Sequence, residues 1–466
     1  MVFSSVPFLY YFLPGCVLLY FLAPRRLKNA ALLLCSLLFY AWGEPKYLLL
    51  LLFSIAQGYA AARIIERYRP RRIAALARTA SVVLSLALLA VFKYAGFFLE
   101  NFRAVTGLPV TVLRLALPAG ISFYTFQILS YVLDVWHGRA PAQRSFVNLA
   151  TYIAMFPQLI AGPIVRYTDI TEQLECRTVT LANAASGARR FAVGLAKKVL
   201  LADSLAAIGT AWRATAQPSV LFAWLYAVSF LLQIYFDFSG YSDMAIGLGR
   251  LFGFSFPENF NYPYISASIT EFWRRWHISL GTWFRDYLYI PLGGNRTSRA
   301  KWYRNLLIVW AATGLWHGAA WNFLLWGLLF AVLLIAEKQF LRPVLEKSRV
   351  FSHIYVLFFI TLSFVLFDAD SVSGAAATLG ALFGTGGLAG TSQEALYLLR
   401  SNAVLLAIAA LGATPLPRRL CSALEGSRAG ARVLTVLEPL AVLALLVLCT
   451  AYLVDGTFSP FLYFRF

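Results

Sequence analysis

The chain has 466 residues, of which 60% are hydrophobic and 13% are charged, and its mean hydropathy is +0.69. This composition excludes a soluble or disordered chain and predicts a polytopic membrane protein. The net charge of +19 does not indicate a nucleic-acid binder, because the basic residues lie in short loops between apolar segments, where they orient a protein in the bilayer. The five cysteines are scattered singly, which argues against a disulfide framework and a zinc site.

Apolar runs follow one another along the whole chain, and most approach the length needed to cross a hydrocarbon core of roughly 30 Å. We therefore expect an all-α fold with about eleven membrane helices, some of them short or re-entrant. No cleavage site follows the first run, which we interpret as a membrane helix and not a removable signal. No internal repeat stands out, so 1–466 is taken as one domain. The runs are 5–23, 29–43, 47–62, 79–99, 115–136, 145–165, 214–236, 305–336, 350–367, 401–417 and 433–454.

Basic residues cluster in the loops 25–28 and 63–78, and again in the loop 418–432 before the last run. The positive-inside rule places all three loops in the cytoplasm. Both termini are then expected to face away from the cytoplasm, including the aromatic tail 455–466.

Polar side chains interrupt the run that begins at Ala214. Carboxylates at membrane depth must face protein or water, so they indicate either a polar pathway or a buried network that fixes helix packing. The sequence leaves both interpretations open. The polar positions are Asp237, Ser239, Ser242 and Asp243.

The segment from 269 to 294 mixes charged residues with many aromatic ones and is predicted to be amphipathic. At 3.6 residues per turn, one stripe contains Trp273, Trp276, Leu280, Trp283 and Tyr287. Arg274, Arg275, Arg285 and Asp286 lie off that stripe. An interfacial helix with snorkelling arginines accounts for this composition on its own. His277, at the edge of the apolar stripe, is the residue that suggests a function.

His317 lies within a charge-free apolar run from Asn305 to Ala336. A titratable ring at membrane depth is costly and suggests chemistry or a polar pathway, although a hydrogen bond between helices would also explain it. For His137 and His353, near predicted membrane edges, we favour a surface role. A proline-bracketed break at 157–163, with Arg166 beyond it, either lines a cavity or simply ends a helix.

Four long motifs occur in order along the chain. Together they resemble the membrane-bound O-acyltransferase family, and within it the bacterial branch typified by the membrane subunit of alginate O-acetylation. The resemblance covers most of the chain. The motifs are FPQLIAGPIVRY at 156–167, FDFSGYSDMAIG at 236–247, ENFNYPYISASITEFWRRWHISLGTWFRDYLYIPLGGNR at 258–296 and GLWHGAAWNFLLWG at 314–327.

The resemblance implies a ring of tilted helices around a tunnel that crosses the membrane. His317 matches the family's catalytic histidine and is predicted to accept the proton of an acceptor hydroxyl. His277 matches a second signature position and is given an orienting or oxyanion-stabilising role. The implied donor is acetyl-CoA or another acetyl thioester, and no metal is predicted. Predicted donor-binding residues are Trp273, Arg274, Arg275, Trp276, Arg285, Asp237 and Asn322.

Several relatives carry an aromatic carboxy-terminal motif with a tyrosine that relays the acyl group, and 460–466 looks like such a motif. Tyr463 is therefore a candidate nucleophile, although an aromatic anchor at the outer interface explains the tail equally well. Twelve residues from 455 to 466 extend about 40 Å at ~3.3 Å each, enough to reach back towards His317.

The resulting prediction is an O-acetyltransferase of the bacterial cytoplasmic membrane. It moves acetyl groups outward for O-acetylation of an exported or cell-wall polysaccharide such as alginate. A periplasmic or extracellular partner resembling SGNH hydrolases completes the transfer, and no nucleic acid is involved. Two rivals remain: D-alanyl transfer to teichoic acids, which the PLGGNR continuation at 291–296 disfavours, and a transporter or flippase whose buried His and Asp residues line a path.

Overall fold

The computed structural model describes residues 2–113, 115–160 and 162–456. Within these ranges the regular structure is helical, and no named strand occurs among the described residues. The predicted all-α fold is confirmed. Serine side chains cap many of the helices by accepting a backbone N–H of the first turn, as serine does at N-caps. These caps are Ser145, Ser268, Ser348, Ser371, Ser392 and Ser427.

The helices group into two compact units. The first comprises Met1–Phe191 and Ser242–Glu258, and the second comprises Ala192–Tyr241 and Asn259–Phe466. The prediction of a single domain therefore stays a prediction. The first unit contains the helices Phe8–Leu22, Lys28–Gly43, Leu48–Arg67, Arg72–Thr106, Ile121–His137, Phe146–Ala154, Phe156–Leu159 and Tyr167–Glu175.

Two helices, Leu181–Ala196 and Val220–Leu251, contribute residues to both units. The second unit contains the remaining helices and carries every described residue of the predicted site. Its helices are Asp203–Ala214, Ile269–Arg275, Ile278–Phe284, Arg299–His317, Trp321–Ala336, Arg342–Leu345, Arg349–Asp368, Val372–Leu382, Gln393–Ser401, Ala403–Gly412, Leu416–Glu425 and Arg428–Asp455.

Six of the described helices are long and apolar enough to cross a membrane. A seventh candidate is the pair Gln393–Ser401 and Ala403–Gly412, which is bent by 56°. A multi-pass membrane protein is thereby confirmed, whereas the count of eleven stays a prediction. The six helices are Pro45–Arg67, Arg72–Thr106, Val220–Leu251, Trp321–Leu345, Arg349–Asp368 and Arg428–Asp455.

The run 305–336, taken as one apolar segment from the sequence, consists of two helices joined by the turn 318–320. The helices approach closely because both contact faces carry glycine. A side-chain carbon on Gly327 would collide with the carbonyl oxygen of Trp310, and one on Gly314 would collide with that of Phe323. Small residues allow such close helix packing in membranes. His317 therefore lies at the end of a helix, at the turn.

Other local expectations need correction. The segment 269–294 is not one helix with a 3.6-residue repeat, because it breaks at Trp276 and His277 and continues as Ile278–Phe284 and a π-helical turn, Arg285–Tyr289. The polar residues at 237–243, which interrupt the apolar run, lie within one continuous helix, Val220–Leu251. The break predicted at 157–163 is present: the four-residue helix Phe156–Leu159 ends within it, and the next described helix begins at Tyr167.

The glycine packing yields a stability prediction. Replacing Gly327 with alanine should lower thermal stability in detergent, because overpacking a close contact costs about 1–3 kcal/mol. Gly15→Ala is the matched control, since a side-chain carbon at Gly15 meets no atom within 4 Å. Equal melting temperatures for the two variants would contradict the close approach of the two helices.

Candidate active site

His277 lies at a break between two short helices, Ile269–Arg275 and Ile278–Phe284. Its backbone is left-handed, with φ 45° and ψ 53°. A residue other than glycine rarely adopts this conformation, which costs about 1–3 kcal/mol and persists only where the surroundings enforce it. His277 is also buried. The surrounding structure must therefore hold this residue in place.

Asn259 provides that restraint from a segment 18 residues earlier in the chain. Its backbone carbonyl accepts the N–H of Ile278 at 3.0 Å. Its side-chain Oδ1 accepts the N–H of Ser279 at 3.2 Å and the hydroxyl of Ser279 at 2.9 Å. The first N–H groups of Ile278–Phe284 are thus satisfied by Asn259, which leaves the His277 side chain free of a capping role.

The same oxygen fixes the tautomer of the histidine. Nδ1 of His277 lies 3.2 Å from Oδ1 of Asn259. Because Oδ1 already accepts a backbone N–H, it acts as an acceptor, and Nδ1 must donate. In a neutral ring Nε2 then carries a lone pair. Nε2 is buried and has no hydrogen-bond partner among the described residues.

His317 ends the helix Arg299–His317 and is buried, with 6% of its surface exposed. Its ring packs edge-on against Trp326, with centroids 5.0 Å apart, and against Phe367, with centroids 5.3 Å apart. The imidazole therefore lies in an aromatic pocket formed by the helices that follow it. Such walls exclude water from a reacting centre.

One indole connects the two histidines. The ring of Trp316 lies 5.0 Å from that of His317 and 5.9 Å from that of His277, measured between centroids. The His277 ring also packs edge-on against Phe238, with the ring centroids 4.6 Å apart. The structure thus brings the two predicted catalytic histidines into one buried aromatic cluster.

Phe367 forms one wall of the pocket, and the two residues that follow it are held by contacts with other helices. The next residue, Asp368, accepts the hydroxyl of Tyr226 at 2.6 Å and forms an ion pair with Arg213. The following carbonyl, of Ala369, accepts the side-chain amide of Asn322 at 2.8 Å. Asn322, for which the sequence predicts a donor-binding role, ties the start of the helix Trp321–Ala336 to the end of the helix Arg349–Asp368.

A buried carboxylate positions the helix that precedes His277. Glu337 accepts the N–H of Ile269 at 2.5 Å and both the N–H and the hydroxyl of Thr270, at 3.0 and 2.8 Å. These contacts cap the amino terminus of Ile269–Arg275. Since Glu337 directly follows Trp321–Ala336, it fixes the His277 helix to the helix pair that carries His317.

The predicted tryptophans lie close to this cluster. Trp273 packs against Trp310 at 4.7 Å and against Trp326 at 5.6 Å, so it shares Trp326 with His317. Trp276 packs against Phe364 at 5.2 Å. These contacts join the helix before His277 to the walls of the His317 pocket.

The charged residues predicted to bind the donor are mostly exposed or form ion pairs with other side chains. Arg274 is exposed, and Arg285 pairs with its neighbour Asp286 at 2.7 Å. Asp237 is buried and forms an ion pair with Lys198 at 2.7 Å, and Lys198 also contacts Asp203 at 2.7 Å. For Asp237 this supports the alternative of a buried packing network. Tyr463 lies outside the described residues.

The remaining polar candidates lie apart from the histidine cluster. His137 ends its helix at the surface, with Nδ1 2.8 Å from the carbonyl of Leu133. His353 is half-buried, with Nδ1 3.0 Å from the carbonyl of Ser266. Among residues 2–113, 115–160 and 162–456, no group of three His, Cys, Asp or Glu side chains is placed to hold a metal ion.

Comparison with known proteins identifies the family to which the chain belongs. The model of the membrane-bound O-acyltransferase family matches residues 140–367, which include both histidines. The chain is 41% identical to the probable alginate O-acetylase AlgI of Azotobacter vinelandii, over the full length of both proteins. The chain belongs to the membrane-bound O-acyltransferase family. It is an O-acyltransferase of the alginate O-acetylase branch.

Other members of the family differ in the groups that they transfer. The peptidoglycan O-acetyltransferase of Helicobacter pylori is 35% identical and aligns with 83% of this chain and 81% of its own length. The teichoic acid D-alanyltransferase of Bacillus subtilis is 31% identical over 47% of this chain and 59% of its own length. Membership of the family supports an enzyme over the rival transporter or flippase.

Sequence reasoning missed several residues of this candidate site. Asn259 and Trp316 lie within the recognised motifs but were not singled out, because nothing in the linear sequence links Asn259 to His277. Glu337 follows an apolar run and resembles an ordinary helix-end charge. Its position directly after the apolar run was the available signal, since a carboxylate this close to membrane depth needs partners.

The contacts of Asn259 lead to a catalytic prediction. Asn259→Ala should lower kcat of acyl transfer by roughly tenfold to a hundredfold with little change in KM, because His277 loses its orienting acceptor; this corresponds to about 1.4–2.8 kcal/mol. Initial rates of purified protein measure both constants. Asn295→Ala, at an exposed turn position, is the control. An unchanged kcat for Asn259→Ala would show that the orientation of His277 by Asn259 does not contribute to catalysis.

Proposed function

We propose that this O-acyltransferase takes acetyl groups from a cytoplasmic thioester, acetyl-CoA or an equivalent donor, and delivers them outward for O-acetylation of an exported or cell-wall polysaccharide. The observation that carries the proposal is the buried cluster in which Trp316 contacts both His277 and His317. The 41% identity to a probable alginate O-acetylase supports acetyl as the transferred group and alginate as a model of the product.

His317 acts as the general base. It accepts the proton of the acceptor hydroxyl while the hydroxyl oxygen forms a bond to the acetyl carbonyl carbon. The C–S bond of the thioester then breaks, and the thiolate takes the proton back from the imidazolium. The aromatic walls at Trp326 and Phe367 limit competing hydrolysis by excluding water.

His277 orients a reactant. With Nδ1 donating to Asn259, a neutral His277 offers a lone pair at Nε2, which can accept a hydrogen bond from another N–H or O–H group of a bound reactant but cannot donate one to an oxyanion. The developing negative charge needs a donor instead. Nδ2 of Asn259 is a buried donor without a hydrogen-bond partner among the described residues and is our candidate for that role.

The same proposal places the chain in the bacterial cytoplasmic membrane as one domain with both termini outside. About eleven crossings would surround a tunnel between the donor and acceptor sides. Each of the eleven apolar runs contains a helix in the structure, and short apolar helices such as Phe8–Leu22 and Val372–Leu382 support crossings beyond the long spans. An SGNH-hydrolase-like partner on the outer side completes transfer to sugar.

The proposed role of His317 as general base predicts that its replacement slows acetyl transfer. His317→Ala should reduce turnover of radiolabelled acetyl-CoA in proteoliposomes by roughly a hundredfold to ten-thousandfold, the usual contribution of general base catalysis. His137→Ala, which removes an exposed histidine, is the control and should keep full activity. Full thioester turnover by His317→Ala would exclude His317 as the base.

The donor is tested in the same preparation. Wild-type protein should consume acetyl-CoA and leave a D-alanyl thioester on a carrier protein unchanged. The D-alanyltransferase of Bacillus subtilis resembles less than half of this chain, which favours acetyl. The reverse preference, turnover of the alanyl carrier alone, would replace acetyl transfer with D-alanyl transfer.

The acyl relay gives a separate prediction. We propose that Tyr463 supplies the first acceptor hydroxyl: it takes the acetyl group from the thioester beside His317 and passes it to the outer acceptor, whose proton restores the tyrosine hydroxyl. The aromatic motif at 460–466 and the reach of the tail support this role. Tyr463→Phe should abolish acetylation of the product while it keeps the aromatic anchor. Mass spectrometry of trapped protein should locate the acetyl group on Tyr463. Retained product acetylation by Tyr463→Phe would remove the relay from the mechanism.

A further inference from the structure

A basic groove lies beside the His277 segment in the second unit. Its volume is about 430 Å³, within the range of small-molecule sites. Arg418 and Arg419 contribute exposed guanidinium groups, and Arg275 is held in place by Glu271 at 2.9 Å and by the carbonyl of Asn261 at 3.1 Å. The lining residues are Asn261, Tyr262, Ile265, Arg275, Pro415, Arg418, Arg419 and Ser422.

The helix that borders the groove has two distinct faces. Residues Pro415, Arg418, Arg419 and Ser422 line the groove and recur at the spacing of one helical face. The other face carries Leu416, Leu420 and Leu424, which are 48%, 67% and 49% exposed. An amphipathic helix with an exposed leucine face and a basic face lies in the membrane interface. The groove is therefore placed at the depth of phosphate headgroups.

The groove is physically continuous with the His277 segment. The N–H of Asn261 donates to the carbonyl of Arg275 at 2.9 Å, and the N–H of Ile278 donates to the carbonyl of Asn259 at 3.0 Å. These two bonds join the same pair of segments, so the lining residues Asn261 and Arg275 lie two residues from Asn259 and His277. A ligand held in the groove borders the segment that positions His277.

We propose that this groove binds a phosphate group through Arg275, Arg418 and Arg419. Guanidinium groups match phosphate oxygens in geometry and charge. Arg275 is partly neutralised by Glu271, whereas no ion-pair partner of Arg418 or Arg419 occurs among the described residues. The phosphate belongs either to the nucleotide part of a coenzyme A thioester or to an anionic lipid. The nucleotide source rests on the proposed function, whereas the lipid source does not.

Equilibrium binding tests the groove without requiring turnover. The protein is placed in phosphatidylcholine nanodiscs, and affinities are measured for radiolabelled coenzyme A and for 3′-dephospho-coenzyme A. A second arm measures retention of phosphatidylglycerol by native mass spectrometry. The variant is Arg418→Gln with Arg419→Gln. Its matched control is Arg428→Gln with Arg432→Gln, two exposed arginines on the next helix that remove the same charge outside the groove.

Loss of about tenfold in coenzyme A affinity in the groove variant alone, with a smaller loss for the dephospho form, supports the nucleotide source. Loss of phosphatidylglycerol retention in the groove variant alone, with coenzyme A affinity unchanged, supports the lipid source. Equal losses in both double variants would show that the effect comes from net charge and not from the groove, and would overturn the proposal. Unchanged binding in both arms would overturn it as well. Failure of acetyl transfer by wild-type protein would contradict the proposed function but leave this result intact.

Discussion

The close approach of two helices at Gly314 and Gly327 sets the position of the catalytic candidate. The hydrophobic effect does not press helices together within a bilayer, so association depends on van der Waals contact between surfaces that fit. Glycine on both faces lets the backbones meet, and three residues, 318–320, are enough to connect the helices. His317 lies at that connection, where the following helix supplies Trp326 as one wall of its pocket. The pocket is thus a direct consequence of backbone packing.

The buried carboxylates have structural roles in this arrangement. Asp237 neutralises Lys198, Asp368 holds the end of the helix that carries Phe367, and Glu337 caps the helix before His277. Each is satisfied by hydrogen bonds or an opposite charge, as burial in apolar surroundings demands. Removing one partner would leave the other charge buried and unpaired. Both histidine rings lie among aromatic rings, with Trp316 in contact with each, and Asn259 orients the His277 ring through Nδ1.

Hydropathy predicts where helices occur in this chain but not where they break. Each apolar run contains a helix because burial in lipid selects helices. The break at His277 could not be predicted from the 3.6-residue repeat, because its left-handed backbone depends on Asn259, a partner outside the helix. The turn after His317 was missed for a related reason: Gly318, Ala319 and Ala320 are as apolar as the helices that they join. Family resemblance identifies both histidines in the sequence, but their common contact with Trp316 could be seen only in the three-dimensional structure.

The division of roles along the chain suggests where family members diverge. The matched family region, 140–367, contains His277, His317 and the residues that position them, and it is found in a family whose named members transfer acetyl or D-alanyl groups. Under the proposed mechanism a base accepts the proton of the acceptor hydroxyl whichever acyl group is transferred, so the proposed base and its pocket need not differ. Arg418 and Arg419 lie beyond 367, on the amphipathic helix that borders the proposed phosphate groove, where a change of residue leaves the histidine cluster unaltered. Selection for a new donor would then act on this outer helix while the histidine cluster stays unchanged.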